Sequence, residues 1–292
     1  MTFETFAQSV IFGIFTGASY GLGAVGFSFV FGVVRILNIA HGDLLMLGGY
    51  ASFFLFSLAG IGPFLSLPLV AAVLFLIGTF LYKVLFARAI RLGGEFRMNT
   101  SLLISFGVIL ILSQVAILLF TADERSVSPP YAGMGLEVFQ LYIPYVRLGS
   151  LLVTLIVIFG LEFFLHRTYL GKCIRGSAEN WESATLMGID INRIYLLSFA
   201  LSCALAGVAG SMVALCYSVS PGIGLEWMLK IMIVTVLAGL GSISGLFFAG
   251  ILLGVVEAVS GIYLGPYMEV IGLMIFLLVL LLRPKGLFGR NE

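Results

Sequence analysis

The chain has 292 residues, 61% of them hydrophobic and 10% charged, with a mean hydropathy of +1.16. That much apolar surface exceeds what a soluble core encloses, so a polytopic, all-α membrane protein is expected. The net charge of +1 argues against a nucleic-acid partner, continuous rather than alternating apolar runs argue against a membrane β-barrel, and Cys173, Cys203 and Cys216 have neither metal-ligand spacing nor a disulfide framework.

Before the first apolar run, residues 1–8 carry Glu4 and no Lys or Arg, so the basic front of a signal peptide is missing and the first segment is expected to be retained. Nine apolar segments follow, each near the roughly 20 residues needed to cross the hydrocarbon core. Their limits are 8–34, 37–59, 64–86, 101–120, 148–166, 194–217, 228–240, 245–263 and 267–283. This predicts a bundle of about eight to nine transmembrane helices forming one transmembrane domain over 1–292. Positive flanks stay cytoplasmic. With the N-terminus outside and the C-terminus inside, 12 of the 15 basic residues fall on the cytoplasmic side, leaving Arg125, Arg147 and Lys230 outside.

Gly13, Gly17 and Gly21 on the first segment, and Ser202, Ala206 and Gly210 on the sixth, recur every four residues. Both sets read as helix-packing ridges, with substrate contact as the alternative. The second segment opens Arg35-Ile36-Leu37-Asn38-Ile39-Ala40-His41-Gly42-Asp43. Asn38 is expected to cap the helix start, Asp43 to favour its positive end, and Gly42, Gly48 and Gly49 to permit close packing or a local break. Asn38, His41, Gly42 and Asp43 are then either a capped, packed helix start or a cytoplasmic gate on a translocation path. The external loop 121–147 holds Asp123, Glu124, Pro129, Pro130 and Gly133 and reads as turn-rich, either solvated or docking an extracytoplasmic partner. Gln114, Glu162, Glu257 and Glu269 lie in or near apolar segments. Glu257 sits mid-segment, where a carboxylate is either a pathway residue or a partner of a neighbouring helix. The seventh segment is short, and its exit Gly239-Leu240-Gly241-Ser242-Ile243-Ser244-Gly245 either completes a span or breaks re-entrantly.

Residues 168–193 form the longest mixed polar and charged run between apolar segments. Ser177 as cap, Glu179 in the first turn, Trp181, Ala184 and Met187 at helical spacing, and Gly188 as stop predict a two- to three-turn amphipathic helix. It either rests on the membrane interface or enters a groove of a motor protein, with Glu179 and Glu182 offered to basic partners. No G-x-x-x-x-G-K-[ST], H-E-x-x-H or C-x-x-C pattern occurs, and His41 and His166 are the two imidazoles. Neither phosphate-loop ATP binding nor catalysis is expected of the chain.

Glu182-Ser183-Ala184-Thr185-Leu186-Met187-Gly188 resembles the E-A-A-x-x-x-G coupling motif of bacterial ABC importer permeases, with Ser183 for the first alanine. The chain also resembles the branched-chain amino acid ABC importer permease family in Asn38-Ile39-Ala40-His41-Gly42-Asp43, in Ala178-Glu179-Asn180 with Leu186-Met187-Gly188-Ile189, in Leu237-Ala238-Gly239-Leu240-Gly241-Ser242, and in Arg283-Pro284-Lys285-Gly286-Leu287-Phe288-Gly289. These blocks follow the family's order along nearly the whole chain.

The resemblance implies a type II-like permease subunit in the bacterial inner membrane, importing branched-chain or related hydrophobic amino acids. Its expected partners are a second homologous permease, two ATPase subunits carrying ATP and Mg, a periplasmic binding protein and membrane lipid, with no cofactor in this chain. Glu179, Trp181, Glu182, Ala184, Met187 and Gly188 would then couple to the ATPases. Gly42, Gly239, Gly241 and Ser242 would line or hinge the path. A permease for urea or short amides, and a stand-alone ion-coupled transporter using Glu257, remain alternatives.

Overall fold

The structure, a computed structural model, describes residues 3–90, 92, 94–138, 141–239, 242–283 and 286–288. In chain order the helices are α1 (Phe3–Val34), α2 (His41–Ala59), α3 (Pro63–Leu81), a π-helical turn (Tyr82–Phe86) leading into α4 (Ala87–Ile90), α5 (Gly94–Phe120), α6 (Tyr145–Arg167), α7 (Tyr169–Glu179), α8 (Trp181–Leu186), α9 (Ile191–Cys216), α10 (Ile223–Ala238), α11 (Ile243–Leu264), a 3-10 turn (Gly265–Tyr267) and α12 (Met268–Leu282). Among the described residues, seven helical stretches of 19 to 31 residues are long and apolar enough to cross a membrane. α10 and α12, with 16 and 15 residues, are shorter. Each of the nine expected segments contains a helix.

The chain divides into two compact units. One comprises 26–127 and 159–228. Here α9 packs on both α2 and α3, and its most apolar stretch is 89% buried against 17% for that of α5. The difference follows from side-chain size. α9 is rich in Gly, Ala and Ser, so neighbouring backbones can approach, whereas α5 presents Leu103, Phe106, Leu110 and Leu118 outward, as a lipid-facing helix does. A Cβ built on Gly48 would lie 2.5 Å from Gly207 Cα, and one on Gly210 would collide with the Leu45 carbonyl oxygen. The ridge Ser202, Ala206 and Gly210 is therefore a packing surface.

The other unit comprises 1–25, 128–158 and 229–292. α1 crosses α11 antiparallel, with Gly13 against Gly254 and Val255, Gly17 against Gly250 and Ile251, and Gly21 against Phe247. A Cβ on Gly17 would lie 2.6 Å from Ile251 Cα, so the crossing is backbone on backbone. The stretch 135–144, expected to be turn-rich, contains instead an antiparallel hairpin of β1 (Gly135–Val138) and β2 (Leu141–Pro144), with Glu137 opposite Tyr142. Gln8 of α1 fixes it through both backbone groups of one residue, Tyr142. Its Nε2 donates to the Tyr142 carbonyl at 2.7 Å, and its Oε1 accepts from Tyr142 N at 2.9 Å. Strands of four residues are too short to announce themselves by alternation, and a tertiary clamp supports them.

Candidate transport and coupling sites

The segment 168–193 folds as two helices, not the single one expected. Thr168 caps α7 by accepting from Gly171 N at 3.0 Å. Asn180 breaks the helix with extended backbone and caps α8, its Oδ1 accepting from Ser183 N at 2.9 Å. Ser177 is thus a buried residue inside α7 rather than a cap. Gly188 does end the segment. Its φ of +82° lets Ile189 N bond Ala184 O at 3.1 Å and Gly188 N bond Thr185 O at 2.9 Å, the paired bonds of a left-handed helix stop. The three apolar positions also divide. Ala184 turns inward, whereas Trp181, Leu186 and Met187 face out beside exposed Glu179 and Glu182. Leu186 and Met187 are 89% and 84% exposed, an unusual presentation for large apolar side chains on a polar segment. The Arg35 guanidinium reaches the Ala178 carbonyl at 3.5 Å from a backbone with φ of +56°.

α2 begins at His41, so the expected start at 37 is early by about one turn, and Asn38 does not cap it. Ala40 occupies the cap position with no side-chain bond, while Asn38 lies two residues upstream, 2% exposed, its Oδ1 buried without a hydrogen-bond partner. His41 is buried against the Phe27 ring, centroids 6.0 Å apart, with Nδ1 3.5 Å from Ser202 Oγ. Ser202 donates its one hydroxyl hydrogen to the Gly26 carbonyl at 2.7 Å, so its oxygen faces His41 as an acceptor. Asp43, 3% exposed in the first turn of α2, has Ser113 Oγ at 3.1 Å. That hydroxyl is also 2.8 Å from the Ile109 carbonyl, and its single hydrogen serves one acceptor at a time. Gly42 brings this turn onto α10, where a Cβ would collide with the Gly224 carbonyl and lie 2.8 Å from Met228 Cβ.

Glu257 is not an isolated carboxylate. Lys230 of α10 donates to its Oε1 at 2.6 Å, and the Tyr20 hydroxyl of α1 donates to its Oε2 at 3.0 Å. Glu269, in the first turn of α12, meets the same ammonium at 3.1 Å. Lys230 and Glu257 are 7% and 5% exposed. Each ion alone would carry a desolvation penalty of several kcal/mol, offset here by the partner and the extra donor. Sequence reading named the two carboxylates but counted Lys230 only as a basic residue on the extracytoplasmic side and gave it no partner. The available signal was a lysine inside an apolar run, Met228 to Val236, with two carboxylates in the following apolar segments.

The turn after α10 joins two stretches far apart in sequence. Gly239 has φ of +81°, Leu287 N bonds Leu237 O at 2.8 Å, and Phe288 N bonds Ala238 O at 2.9 Å. Gly286, also at φ +81°, comes so close that a Cβ would lie 2.6 Å from Gly239 Cα. Ser242 caps α11, accepting from Gly245 N at 3.1 Å. Gly241 lies outside the described residues. The structure thus brings the sequence blocks at 237–242 and 283–289 together, but leaves the α2 entrance in one unit and the Glu257 cluster in the other.

Apolar helices exposing Leu and Phe outward, buried ions matched inside the protein, and a polar two-helix segment between apolar helices define a multi-pass helical membrane protein. The chain belongs to the branched-chain amino acid transport system / permease component family, which it matches over residues 9–282. It is 33% identical over 300 residues to the high-affinity branched-chain amino acid transport system permease protein BraD of Pseudomonas aeruginosa, covering 98% of this chain and 97% of that protein. LivH of Salmonella typhimurium, a permease protein of the same description, is 31% identical over 306 residues, covering 99% and 97%. The probable branched-chain amino acid transport permease protein LivH of Methanocaldococcus jannaschii is 30% identical over 278 residues, covering 91% and 87%. No solved structure matches the chain.

Proposed function

We propose that the chain is the membrane-spanning subunit of an ATP-driven, binding-protein-dependent importer of branched-chain or related hydrophobic amino acids. The observation that carries this reading is the α7–α8 segment: a capped, glycine-stopped helix pair that exposes Trp181, Leu186 and Met187 beside Glu179 and Glu182. Apolar anchors rimmed by carboxylates suit a helix entering a groove on a partner with basic edges. In this reading two ATPase subunits bind ATP and Mg, a second homologous permease completes the pathway, and a periplasmic binding protein delivers substrate. The N-terminus is outside and the C-terminus cytoplasmic, so α7 and α8 face the ATPases, and 1–292 acts as one permease domain. Closure of the ATPases pushes on Glu179 to Gly188. The gate and pathway are assigned to Asn38, His41, Gly42 and Asp43 at the α2 entrance and to Gly239, Gly241 and Ser242 at the glycine turn. Glu257 supports the helices around the path rather than lining it, because Lys230 and Tyr20 already hold both its oxygens.

The test is copurification followed by uptake in proteoliposomes with the copurified partners. Recovery of a P-loop ATPase and a second permease, with ATP-dependent leucine uptake, is the expected result. In that assembly Glu182→Lys and Gly188→Pro should each lower uptake at least tenfold while membrane insertion persists, and normal transport by both would refute the coupling role. Urea uptake in place of leucine would move the substrate to short amides. Recovery of this chain alone, under conditions that preserve a control ABC complex, would favour a self-sufficient transporter.

A further inference from the structure

One carboxylate neutralises one buried ammonium, and Glu257 does so for Lys230 at 2.6 Å. Glu269 at 3.1 Å is a second carboxylate, and charge balance has no use for it. The three ions differ in what each retains if the Lys230–Glu269 bond opens. Lys230 retains Glu257, and Glu257 retains Lys230 and the Tyr20 hydroxyl. Glu269, with a half-exposed side chain in the first turn of α12, retains solvent and the positive end of its own helix. Opening this bond leaves no buried ion unpaired, whereas opening Lys230–Glu257 leaves the buried Glu257 carboxylate with no cation and Lys230 dependent on the half-exposed Glu269 alone. Lys230 therefore has one permanent partner and one releasable partner.

What the releasable bond holds is α12. This helix doubles back after Gly265, whose φ is +54°, and its one buried residue among those described is Gly272, seated 3.1 Å from Glu257 Oε1 by a built Cβ. The rest of α12 is largely open, with Val270, Leu273, Met274, Leu277 and Leu281 exposed. The ion pair fastens the first turn of a loosely packed helix to α10.

We propose that Lys230 and Glu269 are positioning residues for transport, whose bond opens and re-forms in each cycle so that α12 shifts against α10 while Glu257 keeps Lys230 in place. This rests on the ATP-driven transport reading above. The experiment uses the assembled complex with its ATPases and binding protein. A Cβ on Gly261 would lie 3.9 Å from Met268 Cβ, inside the roughly 3.5–4.5 Å spanned by a disulfide, so Gly261→Cys/Met268→Cys can bolt α12 to α11. Because Glu257 of α11 stays with Lys230, the bolted helix cannot leave it either.

The reduced double variant should transport within about twofold of wild type, and the oxidised form should lose at least tenfold in uptake and in substrate-stimulated ATP hydrolysis, recovered on reduction. Glu269→Gln should transport roughly tenfold more slowly and hydrolyse more ATP per substrate moved at unchanged complex yield, with Glu269→Asp restoring coupling. Oxidised and reduced forms turning over equally, or Glu269→Gln coupling as wild type does, would overturn the proposal. Should the cysteine pair block assembly, the Gln and Asp variants decide. A wild-type complex without substrate-stimulated hydrolysis removes the transport reading and this inference with it. Wild-type transport with unaffected variants removes this inference alone.

Discussion

Removing the Glu257 carboxylate tests whether the Lys230 pair holds α10 to α11. Glu257→Ala deletes a 2.6 Å charged hydrogen bond and the 3.0 Å bond from Tyr20, leaving Lys230 93% buried and facing only the half-exposed Glu269. Breaking a buried pair from one side costs about 3–5 kcal/mol, and the remaining Glu269 contact argues for the lower end, about 3 kcal/mol or on the order of 100-fold in the folding equilibrium. Lys230→Met alone should cost a similar amount, because it strands Glu257. The double replacement Lys230→Met/Glu257→Leu removes both charges and refills the space with apolar groups, so it should return to within about 1 kcal/mol of wild type. Unfolding of the purified protein in mild detergent, analysed as a double-mutant cycle, measures the coupling directly. A double variant at least as unstable as the two single losses added together would refute the reasoning, since the cost would then come from packing volume and not from stranded charge.

Two further expectations follow from local geometry. Gly210→Ala should destabilise by roughly 1–3 kcal/mol because its methyl group meets the Leu45 carbonyl, whereas Gly107→Ala, with nothing within 4 Å of its built Cβ, should be neutral or stabilising by up to about 1 kcal/mol; equal effects in thermal unfolding would contradict the backbone crossing of α2 and α9. Asn180→Ala removes the α8 cap, about 1 kcal/mol on a six-residue helix. Limited proteolysis should cut 168–193 faster and uptake should fall, while the global melting temperature holds; a protected segment would mean that tertiary contacts, not the cap, shape α8.

Much of this arrangement was readable along the chain because its causes are local. Apolar segments of membrane length gave the helices, and Gly188 gave the stop of the polar 168–193 segment through its left-handed backbone. Where reading failed, two local signals competed or the cause lay elsewhere. Ser177 and Asn180 are both good caps, and only the extended backbone at Asn180 decides between them. Asn38 is a cap type two residues too early, so its side chain is buried without a partner instead. The hairpin at 135–144 depends on Gln8, well over a hundred residues away in sequence.

The sequence by itself determined a membrane-embedded helical permease, its family and its polar segment at 168–193, because hydropathy, helix caps and motif blocks act over a few residues each. Only the tertiary structure decided that Lys230 shares its charge with Glu257 and Glu269, that Tyr20 completes the cluster, and that Gly286 returns to Gly239. The physical reason is that pairing a charge in a low-dielectric interior depends on which helices become neighbours, and backbone crossings at glycine set that neighbourhood between positions that no local spacing relates.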